Sequence, residues 1–349
     1  MKGKHILVFR FSALGDVAMC VPVLRCLLHS YPELQLTIVT RKRFVPLFET
    51  LPNVHFFTPD FMGEHKGISG LYKLFKSLKK LRPTALADLH QVLRTQLLML
   101  YFRPLFWIKQ ARINKGRAEK KRLTRQKPKT LVPLLPQVHR YAQVFEKLGF
   151  PLSLSAHEFP PRPICPNTEA LQLTENRKWI GIAPFAAHAN KQYPLDLMQQ
   201  VVAFLQQEHQ VILFGYGKEE IAQLDVWANA YKHVSNATGL YAFAAELRLI
   251  AQLDLMISMD SANGHLAANF NVPVLTLWGN THPCLGFAPF GQPQKNNIIP
   301  DLNTFPLLPT SVYGNKKVKG YQDAMRSIAP KAVIELALGE LGGIINKEK

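Results

Sequence analysis

Three short stretches hold the residue types from which a reactive site can be assembled. The first is Arg10-Phe11-Ser12-Ala13-Leu14-Gly15-Asp16, a turn after an apolar run with one glycine and one carboxylate. A dinucleotide-binding turn wants three glycines, so a Rossmann dehydrogenase is disfavoured. Asp16 falls where a helix should begin, and backbone N–H groups with the helix dipole stabilise a carboxylate there. Taken as a residue alone, it reads as a helix cap. The second stretch, Met259-Asp260-Ser261-Ala262-Asn263-Gly264-His265, follows a strand-like run and opens a helical one. Asp260 and Ser261 therefore sit at a helix N-terminus, which can offer N–H donors to a phosphate. Capping alone would select the same letters, and His265 is equally a ligand contact or a partly buried structural histidine.

The third set comprises two loops that also follow strand ends. Residues 184–193 (PFAAHANKQY) carry a single cation, Lys191, and residues 215–220 read Gly-Tyr-Gly-Lys-Glu-Glu. A lysine so placed can neutralise a diphosphate, and Glu219 or Glu220 can accept from ribose hydroxyls. The chain contains no Asp-x-Asp triplet of the kind that carries a divalent ion to a nucleotide-sugar diphosphate. Helix dipoles and Lys191 would then balance the charge, and metal independence is expected.

The elements that must position these residues alternate. Strand-like runs at 5–9, 36–40, 54–57 and 85–89 are separated by helical periodicity at 17–30, 68–81 and 92–106, with a further helix at 138–148. Pro22 either kinks the first helix or delays its regular part. After a stretch with prolines at 151, 160, 161, 163 and 166, the alternation restarts: strands at 179–183, 211–214, 255–258 and 274–277, helices at 195–208, 219–231, 241–252 and 262–271. Such alternation implies parallel sheets covered on both faces, with ligands at the carboxyl ends of the strands. The reading is α/β: a domain over 1–155, a proline-rich linker over 156–176 and a domain over 177–349, with a cleft between them.

Composition narrows the function classes. Of 349 residues, 47% are apolar and 19% charged, which supports buried cores and excludes a disordered chain. The formal charge of +18 is uneven, because residues 1–150 hold 27 basic and 8 acidic side chains while the rest is almost balanced. The first half is built to meet something anionic. Ten of its basic residues fall in 109–129 with Glu119 as the one acid, a run expected to form a mobile loop. The apolar, aromatic stretch 97–108 and the lysine-bearing helix 68–81 add a surface that anionic lipid could use. Four cysteines without C-x-x-C spacing suggest neither disulfides nor zinc. No secretory signal or spanning segment is read, and a cytoplasmic chain is expected.

Phe11-Ser12-Ala13-Leu14-Gly15-Asp16-Val17, with Pro22 and Leu24 beyond it, resembles the start of glycosyltransferase family 9, the lipopolysaccharide heptosyltransferases. Asp260-Ser261-Ala262-Asn263-Gly264-His265-Leu266-Ala267-Ala268 is similar to that family's Asp-Thr-Gly-x-x-His-Leu-Ala-Ala stretch, and Val272-Pro273 and Gly279-Asn280-Thr281-His282-Pro283 follow at the usual distance. The resemblance implies a GT-B fold, two Rossmann-like domains whose parallel sheets face across a cleft, and allows a last helix that packs back on the first domain. It implies inverting transfer of heptose from ADP-heptose to the lipopolysaccharide inner core, at the cytoplasmic face of the inner membrane. By position, Asp16 becomes the catalytic base. Lys191, Glu219, Glu220, Asp260, Ser261, Ala262, Gly264 and His265 become donor contacts. Arg94, Lys120, Lys121 and Arg122 are assigned to an anionic, lipid-borne acceptor. No cofactor beyond the nucleotide-sugar donor is implied. Departures are Ser261 for Thr, Ala262 for Gly, and His90-Gln91 where the family has Gln-Gly. A GT-B sugar-nucleotide epimerase would need no lipid acceptor, against the basic first half. A nucleic-acid or other polyanion binder would leave the second-half loops unexplained and lacks a recognised module.

Overall fold

The computed structural model describes residues 3–174 and 176–342. The chain divides into two compact units, 1–115 with 137–160, and 116–136 with 161–349. In the first unit five parallel strands stand in the order β3-β2-β1-β4-β5: β1 His5–Phe9, β2 Gln35–Val39, β3 Val54–Phe57, β4 Ala85–Asp88 and β5 Lys109–Arg112. β1 is central, and its apolar run is buried because helices cover both faces of the sheet. Leu7 and Phe9 point to one face, where they meet α3 (Gly67–Lys80) and α4 (Leu93–Phe102) through Leu71, Leu74, Leu78, Leu98 and Phe102. Strand alternation turns Ile6 and Val8 the other way.

The first helix is two: α1 Leu14–Ala18 and α2 Cys20–Ser30, joined at Met19. Pro22 is the third residue of α2, in the first turn, where its missing N–H costs nothing. The structure thus takes the late-start alternative. Beside α2 packs the helix of residues 137–147, numbered α6 below.

The second unit has six parallel strands in the order β11-β10-β9-β6-β7-β8: β6 Trp179–Ala183, β7 Gln210–Leu213, β8 Val234–Asn236, β9 Leu255–Met259, β10 Val274–Leu277 and β11 Asn297–Ile298. The helices that follow its first strand are α7 Leu195–Leu205, α8 Lys218–Ala230, α9 Phe243–Ile250, α10 Ala262–Ala268 and α11 Pro330–Glu340. The last described helix, α11, places Val333 and Ala337 in this unit's core beside Val201 and Leu205 of α7. That packing makes α11 part of the second unit.

The basic run at 109–129 is ordered structure, a correction to the mobile loop expected. It supplies the edge strand β5 and the helix α5 (Arg117–Leu123). Residues 116–136 belong by their contacts to the second unit, outside the first domain that the sequence boundary at 155 gave them. Leu123 packs with Cys284 and Leu285, and Leu131, Leu134 and Phe287 join them. Lys129 Nζ donates to the carbonyls of Arg125 (2.9 Å), Leu307 (2.6 Å) and Pro309 (2.8 Å).

Candidate functional site

In the first unit the candidate residues gather at the carboxyl ends of β1 and β4. Asp16 is the third residue of α1, and the N-cap position is Ala13, so Asp16 is not the cap the sequence suggested. Its carboxylate pairs instead with Arg10, Oδ2 to Nη2 at 2.5 Å, and remains 29% exposed. Arg10 is buried at the end of β1. Its Nη1 donates to the Leu89 carbonyl (2.7 Å), and its guanidinium lies 5.8 Å from the ring centre of Tyr141 on α6. Burial works against the charge of Arg10, but Tyr141 and Asp16 outweigh it and hold its pKa above the ordinary value. The Tyr141 hydroxyl donates to the Asp16 carbonyl at 3.2 Å, tying α6 to α1. A carboxylate is thus aimed from beneath by a fixed cation while part of it stays open to solvent.

His90 follows β4 and is buried. Its Nδ1 accepts the Phe11 N–H (3.4 Å), which leaves Nε2, 3.4 Å from Ser12 Oγ, as the proton-bearing nitrogen of the neutral ring. Burial, reinforced by Arg10, Lys115, Arg41 and Arg94, lowers its pKa to about 3. These four cations come from the ends of β1 and β2, the start of α4 and the segment after β5. The carboxyl edge of this sheet is therefore positive. Arg94 is exposed and rests on the ring of Phe61, 4.8 Å from its centre.

In the second unit, strand order brings distant residues together. β6 and β9 are neighbours, so the loops following them meet: Lys191 Nζ lies 2.8 Å from Asp260 Oδ2, both largely buried. Thr281 Oγ1, from the loop after β10, donates to the same oxygen at 2.8 Å. A third loop closes over them. Asn280 Nδ2 donates to the Lys316 carbonyl (2.8 Å), and the Asn280 N–H to the Asn190 carbonyl (2.9 Å). Two glycines permit the approach: a Cβ on Gly279 would overlap the Asn190 carbonyl, and one on Gly314 (φ +83°) would overlap the Lys191 side chain. Asn190, Thr281 and Gly314 were not singled out as site residues, and only their place beside Lys191 and Asp260 identifies them.

The remaining donor candidates divide. Ser261 holds the N-cap position of α10 in extended backbone, and its hydroxyl makes no capping bond, so plain capping does not explain it. Ala262 begins the helix, and His265 is buried within it. Gly264 faces the sheet: a Cβ there would lie 2.7 Å from Ser258 Oγ, so its lack of a side chain serves helix–strand packing. Glu220 Oε2 accepts the Tyr216 N–H at 2.7 Å and braces the turn after β7, while Glu219 is exposed in the first turn of α8. Of the basic residues assigned to the acceptor, Lys120 is 5% exposed and sits 3.9 Å from the ring centre of Phe287, inside the second unit. It anchors α5, a correction to a lipid-facing role; Lys121 and Arg122 are exposed. Among the described residues, no three His, Cys, Asp or Glu side chains cluster so as to hold a metal ion.

Residues 72–307 match the family model of glycosyltransferase family 9 (heptosyltransferase). The chain is 24% identical over 304 residues to the lipopolysaccharide core heptosyltransferase OpsX of Haemophilus influenzae, covering 85% of this chain and 84% of that protein. It is 24% identical over 298 residues to lipopolysaccharide heptosyltransferase 3 of Escherichia coli, covering 82% and 84%. In structure it is similar to a family 9 glycosyl transferase from Veillonella parvula, with TM-score 0.72, 21% identity and 98% of each chain covered. The two parallel α/β units are those of the GT-B fold.

Proposed function

Because the chain belongs to glycosyltransferase family 9, we propose that this glycosyltransferase moves heptose from ADP-heptose, with inversion, to the inner core of lipopolysaccharide or lipooligosaccharide. The observation that carries the reading is the cluster of Lys191, Asp260 and Thr281 at the carboxyl ends of the second sheet. An ammonium has three donors, and Asp260 uses one, so Lys191 keeps two for a diphosphate or sugar oxygen. Asp260 has its second oxygen for a sugar hydroxyl. Ser261 and His265 belong beside the diphosphate, and Glu219, with its carboxylate clear of the turn that Glu220 braces, suits the ribose.

In the first unit Asp16 is the base. As the anomeric carbon loses its diphosphate, the acceptor hydroxyl attacks from the opposite face and gives its proton to Asp16. The bond to the diphosphate breaks as the new glycosidic bond forms, so the configuration inverts. Arg10 fixes the carboxylate in place. The positive edge formed by Arg10, Arg41, Arg94 and Lys115 suits an anionic acceptor. We read the transfer as metal-independent, with Lys191 and backbone donors meeting the leaving diphosphate. The acceptor being lipid-borne, the enzyme works at the inner face of the inner membrane as a peripheral protein. No helix among the described residues is long and apolar enough to cross a membrane.

Calorimetric titration of ADP-, GDP- and UDP-sugars, with and without chelator, tests the donor assignment. ADP-heptose should bind with or without chelator and lose ~10-fold or more in affinity in Lys191→Ala, the loss of a charge-assisted hydrogen bond. Preference for another nucleotide, or an unchanged affinity in the variant, would refute it.

A further inference from the structure

We propose that the outer face of α3 and α4, together with the loop 103–108, is a docking surface for an anionic phospholipid bilayer. This deepens the peripheral placement proposed above and gives it a location other than the basic helix α5. The two helices lie on one face of the first sheet and touch through aromatic rings, Phe75 to Phe102 at 4.8 Å and Tyr72 to Tyr101 at 5.6 Å. Beyond that seam the outer side of the layer carries exposed apolar side chains among its lysines. Ile68 is 72% exposed, Leu100 55%, Phe106 88% and Trp107 61%, with Tyr72 also exposed. Single exposed apolar residues need no explanation, but five on one helical layer and its following loop do.

The charge on the same stretch selects the occupant. From residue 65 to 118 there are twelve lysines and arginines, and the one carboxylate, Asp88, is fully buried. Lys73, Lys76 and Lys80 are exposed on α3, and Lys76 Nζ lies 4.8 Å from the centre of the Tyr72 ring. The end of the layer is equally mixed. Ala85 of β4 pairs with Lys109 of β5, so the chain before each strand reaches the same edge of the sheet. That brings Lys79 and Lys80 to the edge that carries Phe106 and Trp107, whose rings touch at 5.2 Å. Aromatic and aliphatic side chains edged by cations, with no anions among them, match an interface whose headgroups are negative and whose acyl boundary is apolar. A protein partner would be expected to meet mixed charge, and a free polyanion would leave the apolar groups without purpose.

Trp107 makes the surface directly readable. Of the four tryptophans it alone is exposed, Trp227 and Trp278 being buried and Trp179 half-buried. The full chain is mixed with vesicles of phosphatidylcholine, with or without phosphatidylglycerol, and followed by co-sedimentation and tryptophan emission. Binding to the anionic vesicles with a blue shift is expected, together with quenching by brominated acyl chains that Trp107→Phe abolishes. Lys73→Gln/Lys76→Gln/Lys80→Gln should weaken binding on the order of 100-fold, as should Phe106→Ser/Trp107→Ser, both with wild-type circular dichroism. Absence of vesicle binding, equal binding by the Phe106→Ser/Trp107→Ser variant, or a change of oligomeric state in that variant without loss of vesicle binding would each overturn the proposal. No donor or acceptor enters this assay, so its failure is distinguishable from failure of the transfer reading.

Discussion

Replacing Asp16 by Asn separates a base from a buried cation's partner, because the two roles predict losses of different size in different measurements. The structural cost follows from the Arg10 geometry. Asn keeps an oxygen for Nη2 but loses the charge, while the Leu89 carbonyl and the Tyr141 ring still hold the guanidinium. A hydrogen bond between charged groups contributes about 1–2 kcal/mol more than a neutral one. Since Asp16 is 29% exposed, solvent takes up part of the loss, and about 1 kcal/mol remains. For a unit of this size that lowers Tm by roughly 3 °C. A base that accepts the acceptor's proton as the glycosidic bond forms is worth about 10²- to 10⁴-fold in rate, or roughly 3–5 kcal/mol.

The two measurements should therefore diverge. At 25 °C the variant remains folded, yet kcat at saturating donor and acceptor falls at least ~10²-fold, and calorimetric donor affinity stays within about a factor of two. Arg10→Lys provides the complement: a lysine cannot fork between the Leu89 carbonyl and Asp16, so kcat falls by about 10-fold through misplacement of an intact base. The result that defeats the reasoning is a folded Asp16→Asn enzyme turning over within ~10-fold of the wild type. Asp16 would then be the counter-ion of Arg10 and nothing more.

Two further outcomes follow from groups outside the reacting centre. Lys129→Met removes three carbonyl partners at once and should destabilise the second unit by about 2–4 kcal/mol, seen as a lower urea midpoint and faster proteolysis within 116–136. His90, with its pKa lowered to about 3, stays neutral in the folded protein while the unfolded chain takes up a proton near 6.5. The stability it contributes is complete above that value and declines as pH falls from ~6.5 toward ~3, by about 1.4 kcal/mol per pH unit. Urea unfolding at ~pH 7 and ~pH 5 should show His90→Gln losing less stability than the wild type across that interval, and equal losses would exclude the assignment.

Short, mainly apolar runs made β1, β3, β6 and β10 legible to the residue. β5 was not, because its sequence, Lys-Gln-Ala-Arg, is that of a sheet edge, and its identity as a strand comes from pairing with β4. β8 and β11 have three and two residues, too few for any periodicity to register. α5 hid inside a run of charge, although Lys and Arg are good helix formers. Local letters could not disclose that Lys120 is buried, since the aromatic ring that receives it lies far along the chain in Phe287. The candidate site followed the same division. Asp16, Lys191 and Asp260 were legible as polar residues just past strand ends, where parallel sheets place their ligands. Their partners were not: the Arg10–Asp16 pair needs the turn of β1 into α1, and the Lys191–Asp260 pair needs β6 and β9 side by side.

The excess charge of the first half resolves into three populations that act differently. Lys120 and Lys129 are structural, held by a ring and by carbonyls in the second unit. The lysines of α3 are exposed among apolar groups, where salt screens them and a bilayer would desolvate them. Arg10, Arg41, Arg94 and Lys115 form the third population, and His90 reports their effect. A histidine buried inside a charge-balanced network would feel its burial and little else. Burial is the largest influence on His90 too, and the four charges that follow it, Arg10, Lys115, Arg41 and Arg94, are all positive and push the same way. With Asp16 committed to Arg10, the carboxyl edge of the first sheet retains a net positive potential. That imbalance is what an anionic acceptor would neutralise, and in the proposed transfer it would draw the acceptor toward Asp16, the proposed base.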